Sequence, residues 1–200
     1  AEGEPLEPAV KLAGYLGLRR SEICGLRWDN VNLESGTLTV CVARTAVGGV
    51  AVNKGPKTES SMRTLGIAGL TDLDEVLRKT RREQAERRKT KPNFNAEDFV
   101  LVNAHGQPYA PDYVSAWFTK FVLDNGLPYL TLHGLRHSFA SAANELHIPL
   151  FKISKALGHS NTAVTSQVYT HLFDDTQNEV LNRVASAIGH GGQGGCAKAP

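Results

Sequence analysis

The sequence predicts an α+β fold: a mostly helical domain carrying a small three-stranded antiparallel sheet near its N-terminal third. Two observations carry this. Apolar residues recur three and four apart through most of the chain, as in Leu6, Val10, Ala13 and Leu16, the spacing of a helix that buries one face. Between Asn30 and Ile67 the period drops to two, in Leu38, Val40 and Val42, as expected of half-buried strands. With 200 residues, 41% apolar and 21% charged, the chain is long enough for one substantial core and has the composition of an ordinary globular domain.

The elements follow in order. The first helix ends at Gly17, a good C-terminal stop, and delivers Arg19 just beyond. Ser21 and Glu22 suit the start of a second helix running through Ile23 and Leu26 to about Trp28, because a hydroxyl can cap it and an acid favours its dipole. Val31 and Leu33, the turn Glu34-Ser35-Gly36, the Leu38 to Val42 alternation and finally Met62, Thr64 and Gly66 make the sheet. Residues 45 to 57, with three glycines and ending in Gly55-Pro56-Lys57, are expected to be its last connection. A long helix follows from Thr71 to about Lys89, then a short strand over 98 to 102. Pro111 opens a helix with the core stripe Val114, Trp117, Phe118, Phe121 and Val122. Thr131 caps a helix from 132 to about 146, and Pro149 and Gly158 bound the next. Tyr169 is expected on a short helix from about 162, and Val180, Leu181, Val184 and Ile188 on a last amphipathic one. One domain over 1–188 and a flexible glycine-rich tail over 189–200 result.

Charge and cysteine content limit the function classes. The net charge is only +2, so a nucleic-acid partner is not announced globally. Basic residues concentrate in Arg78, Lys79, Arg81, Arg82, Arg87, Arg88, Lys89 and Lys91, which a solvated helix face explains as well as DNA contact does. Cys24, Cys41 and Cys196 are odd in number and unpaired in spacing, so reduced thiols are expected rather than disulfides or a zinc knuckle. No apolar run is long enough to cross a bilayer and no secretory pattern opens the chain, so a cytoplasmic location is expected.

The chemistry-bearing residues are spread from end to end. Arg19, Arg136 and His133, Lys57 at a glycine- and proline-bounded turn, His159 after Gly158, and Tyr169 are the candidates. A phosphodiester resists nucleophiles because its oxygens are negative, and arginine forks relieve this by gripping two of them. A phenol with a pKa of about 10 needs such cations or a base to attack. Lys57 could protonate a leaving 5′ oxygen, and His133 and His159 could supply hydrogen bonds. Singly, each residue has an ordinary structural explanation: a helix-end ion pair for Arg19 or Arg20 with Glu22, a solvated lysine, a capping histidine, a half-buried tyrosine. His133 and His137 are four apart, as zinc-binding histidines are, but the His-Glu-x-x-His glutamate is missing, so no metal and no cofactor is expected.

Together these segments resemble the catalytic domain of the tyrosine recombinases, the phage integrase family. Gly17-Leu18-Arg19-Arg20-Ser21-Glu22, continuing to Leu26-Arg27-Trp28, resembles its first arginine motif, with Glu22 supporting Arg19. Pro56-Lys57-Thr58 followed by Ser61 and Arg63-Thr64 resembles the hairpin bearing its lysine, Lys54 being a weaker candidate. Leu132-His133-Gly134-Leu135-Arg136-His137-Ser138 matches the His-x-x-Arg box, Leu157-Gly158-His159 the following box, and Tyr169-Thr170-His171 the nucleophile motif. The resemblance spans nearly all of 6 to 188. It implies that Tyr169 forms a 3′-phosphotyrosyl link while Arg19, Arg136 and His159 hold the phosphate, Lys57 acts as leaving-group acid and His133 assists proton transfer. It also implies double-stranded DNA as partner, a homotetramer on recombination sites with monomers in solution, and accessory DNA-bending proteins. Members usually carry an N-terminal DNA-binding domain, which is expected to be absent from this chain. A type IB topoisomerase and a non-catalytic DNA-binding regulator are the competing readings.

Overall fold

A computed structural model describes residues 1–48, 50–55 and 62–158. Helix α1 (Glu7–Leu16) buries Leu12, Ala13 and Leu16 and stops at Gly17, whose left-handed φ of 60° turns the chain sharply. No Cβ would be accommodated there, since it would lie 2.7 Å from Leu157 and 2.9 Å from Phe139. Helix α2 (Arg20–Gly25) has Arg19 at its N-cap position, where the Arg19 N–H donates to the Glu22 carboxylate. It ends earlier than the expected Trp28 because Leu26 and Arg27 are extended and a 3-10 turn (Trp28–Asn30) follows, with Trp28 N–H donating to Asp98 O and Val100 N–H to Leu26 O. Gly25 is also pressed on the backbone leading into the next sheet: a Cβ would come 2.7 Å from Val42 O and 3.0 Å from Arg44 N.

Strands β1 (Val31–Asn32) and β2 (Thr37–Val40), with β5 (Arg63–Gly66), form the expected three-stranded antiparallel sheet in the order β1-β2-β5. Two expectations need correction. The stretch read as a connection from residue 45 contains a second, two-stranded sheet, β3 (Ala43–Val47) against β4 (Val50–Lys54), with Val47 opposite Val50. A two-glycine loop between β-prone segments is a hairpin signal, and β3 gains support from α2 and α4. The strand expected over 98–102 is instead two isolated bridges, Arg27 to Phe99 and Val102 to Pro108. Alternation on β5 also differs, because Met62 and Thr64 are exposed while Arg63 and Leu65 turn inward.

The remaining helices are α3 (Thr71–Thr90), α4 (Pro111–Asp124), α5 (Leu132–Glu145) and α6 (Leu150–Leu157). Helix α1 packs against α2, α3 and α5, and α5 against α6, so α1 is the hub of the core. Thr131 caps α5, its hydroxyl accepting from Gly134 N–H at 2.9 Å. Along α4, Trp117 and Phe121 stack at 5.4 Å while Val114, Phe118 and Val122 are buried. Much of the basic run on α3 serves the fold. Arg78 bonds Asp74, Glu34 and Leu33 O, Arg88 bonds Asp98 and two carbonyls, and Arg81 and Arg87 lie over the rings of Trp28 and Phe94.

These elements lie within the compact unit Ala1–Thr162; the boundary expected at 188, the last two helices, the tail and Cys196 lie outside the described residues. Burial pushes the Cys24 thiol up to about 12, leaving it inert. No helix among the described residues is long and apolar enough to cross a membrane.

One buried polar network fastens α3 to the bridge segment. Trp28 Nε1 and Asn95 Nδ2 both donate to Gln84 Oε1, and Gln84 Nε2 donates to Val100 O. Asn95 also exchanges bonds with the main chain of Phe99 from a left-handed φ of 53°. Asn95→Ala leaves several buried groups unsatisfied, so it should cost about 2–4 kcal/mol, measurable by urea unfolding.

Candidate active site

Two helix C-termini create the site. The last carbonyls of a helix have no partner within it and carry the negative end of its dipole, so they attract cations. At the end of α6, three consecutive carbonyls each accept from a different arginine: Ala156 O from Arg63 Nε at 2.8 Å, Leu157 O from Arg136 Nη2 at 2.8 Å, and Gly158 O from Arg19 Nη2 at 3.2 Å. Arg136 also donates through Nη1 to Gly17 O at the end of α1. Gly158 makes the approach possible with a left-handed φ of 66°, and a Cβ on it would lie 2.5 Å from Arg63 Nη1.

A single carboxylate ties these arginines from the other side. Glu22 Oε2 accepts from the Arg19 amide at 2.7 Å, and Oε1 from Arg19 Nη1 at 2.9 Å. Arg63 grips both oxygens, Nη1 to Oε1 and Nη2 to Oε2, each at 3.0 Å. Arg136 Nη1 stands 4.0 Å from Oε2. Burial, the largest influence on Glu22, raises its pKa; hydrogen bonds and charge from Arg63, then those from Arg19, outweigh it and hold the carboxyl below its ordinary value. Three guanidiniums face one carboxylate, so the cluster carries surplus positive charge. Arg136 and Arg63 are buried, whereas the Arg19 side chain is 39% exposed.

The structure therefore brings Arg19, Glu22 and Arg136 together. His133 is exposed one turn before Arg136, its ring edge-on to His137 at 4.5 Å. Burial, then repulsion from His133 and Arg136, lowers the pKa of His137. Among the described residues no group of three His, Cys, Asp or Glu converges to hold a metal. Arg20, the other candidate partner of Glu22, turns away to Asp112 and Ser115. Lys57, His159 and Tyr169 lie outside the described residues, and Lys54 is at the end of β4. Arg63 enters the reading from sequence only as part of the hairpin motif and is not among its site residues. An arginine at an inward strand position facing a helix-borne glutamate is the signal that could have found it.

This arrangement can bind and orient a polyanionic oxygen, the demand of phosphoryl chemistry. Residues 4–176 match the family model of the phage integrases. A tyrosine recombinase XerC-like protein of Caldanaerobacter subterraneus subsp. tengcongensis is 28% identical over 184 residues, covering 86% of this chain and 46% of that protein. An integrase of Streptomyces ambofaciens is 33% identical over 177 residues, covering 84% and 45%. In fold, the transposon Tn1549 integrase, solved with transposon right-end DNA, is similar with a TM-score of 0.72 at 21% identity, covering 90% of this chain and 59% of that one. The chain spans about half the length of the curated relatives it matches. With the match running through both arginine segments and nearly the whole described fold, the chain belongs to the phage integrase family.

Proposed function

We propose that this chain is the catalytic part of a site-specific DNA recombinase or integrase that cuts and rejoins strands through a 3′-phosphotyrosyl intermediate. The observation that carries this reading is the convergence of Arg19 and Arg136 on the end of α6 and on Glu22. Residues distant in sequence are gathered where positive charge is in excess, and the motif bearing His159 begins at the same helix end. The names of the matched relatives, tyrosine recombinase and integrase, support the same class.

In the proposed reaction Tyr169 Oη attacks the scissile phosphorus, and the bond to the 5′ oxygen breaks. The leaving oxygen takes a proton from Lys57, giving a free 5′ hydroxyl, while the phenolic proton passes to solvent with help from His133. Arg19, Arg136 and His159 hold the non-bridging oxygens, whose charge grows in the transition state. The phosphotyrosyl ester keeps the energy of the broken phosphodiester, so a 5′ hydroxyl from a partner strand can reverse the step and release Tyr169 without ATP or a metal. Exchange between two double-stranded sites requires four protomers on the DNA; monomers in solution and accessory bending proteins fit the same scheme.

Two experiments test this. Nicked duplexes randomised over the core trap covalent adducts on denaturing gels, and the trapped sequences define the site. The adduct should map to Tyr169, and Tyr169→Phe should abolish it while DNA affinity stays unchanged. A chain that only binds DNA gives no adduct, whereas relaxation of supercoils at any sequence would identify a topoisomerase. Affinity should fall about 10-fold or more between low and physiological salt as phosphate contacts release counterions; fluorescence anisotropy reads this, and a flat response counts against phosphate binding.

A further inference from the structure

We infer that Arg63 is a positioning residue of the cleavage site, locking Glu22 to the end of α6 so that Arg19 and Arg136 are held in fixed relation. This role rests on the recombinase reading. Among the described residues, the hydrogen bonds of its guanidinium run inward: Nε to Ala156 O, and both terminal nitrogens to the two oxygens of Glu22. Only 8% of its side chain is exposed, so it acts through its neighbours rather than on DNA. A parallel two-bond fork fixes the plane of the Glu22 carboxylate, and that plane sets where Oε1 meets Arg19 and Oε2 meets the Arg19 amide and faces Arg136.

Stability alone is a weak reason for such a pair, because a buried ion pair often gains little over packed apolar residues. Its placement supplies a better one. Arg63 joins three elements, β5, α2 and α6, at the point where the other two arginines are anchored. Gly158 leaves it room, since a Cβ would collide with Nη1 at 2.5 Å. Arg63 also opens β5 directly after the segment that contains Lys57.

Among the described residues, the charged groups facing Glu22 are Arg19 at the start of its own helix, Arg63 from β5 and Arg136 from α5. A guanidinium is not deprotonated in proteins, so a pH response within this set is that of the Glu22 carboxyl. Without Arg63, burial is less opposed and the Glu22 carboxyl takes up its proton at higher pH. Protonated, it loosens both remaining arginines. Cleavage by Arg63→Gln should therefore be lost as pH falls at a higher pH than in the parent chain.

The test uses this chain with the nicked duplex selected above. Single-turnover adduct formation is followed from acid to neutral pH for the parent, Arg63→Gln and Arg63→Lys, with carboxyl-carbon NMR of Glu22 and thermal melting alongside. Arg63→Gln should lower the rate at saturating DNA roughly 10- to 100-fold, leave DNA affinity within about threefold, and raise both the acid limb and the Glu22 titration. Arg63→Lys keeps the charge without the fork, so it should recover the acid limb and only part of the rate; it also provides the reading if the Gln variant does not fold. Parental rates and an unmoved acid limb in the variants would overturn the role while leaving the recombinase reading intact. No adduct with the parent chain would overturn the recombinase reading, and this role with it.

Discussion

The site depends on one electrostatic arrangement, in which the Glu22 carboxylate and the terminal carbonyls of α1 and α6 together hold three arginines in a small volume. Guanidiniums brought this close repel one another and lose hydration, so each must find oxygen in the protein. Glu22 offers charge, and Gly17, Ala156, Leu157 and Gly158 offer main-chain carbonyls that their helices leave unpaired. The acceptors suffice to hold the cations but do not cancel their charge. Such a cluster is pre-organised for an anion, because the cost of assembling positive charge has been met during folding rather than at the moment of reaction.

Backbone shape is what makes the arrangement possible. Gly17 and Gly158 both adopt left-handed conformations that end their helices and leave carbonyls open to Arg136 and Arg19. Both are also crowded, Gly17 by Leu157 and Phe139 and Gly158 by Arg63. A side chain at either would be strained by its backbone angle and would push apart the elements that meet there. The packing of α1, α5 and α6 is thus tied to the position of the arginines.

Much of this was legible from residue order. Apolar spacing located the helices, Gly17 and Gly158 marked two ends, and Thr131 marked the start of α5, because these signals are local and depend on few neighbours. The misses arose where distant partners decide. Leu26 to Trp28 leave the helix to pair with the segment around Phe99, which no window around Trp28 reveals. The β3–β4 pair is separated in sequence by Gly-Gly but shows little apolar alternation, and it draws support from α2 and α4. On β5 the charged Arg63 takes an inward position beside Leu65, which hydrophobicity alone does not assign to an arginine. Its partner Glu22 lies 41 positions away.

The three arginines are also unequal, and this separates grip from support. Arg63 and Arg136 are buried, with side chains 8% and 4% exposed, whereas Arg19 stands 39% open to solvent. An anion approaching the cluster would therefore meet Arg19 first, at the edge of a field to which the buried pair contributes at longer range. Low dielectric around the buried cations strengthens that field, while the exposed one exchanges hydration for the anion at little cost. Glu22 must then balance two demands. It has to remain ionised, or the buried arginines lose their charged acceptor, yet with charge spread over three partners it leaves the cluster positive. One carboxylate meets both demands, and a second acid beside it would neutralise the surplus positive charge that suits the cluster to an anion.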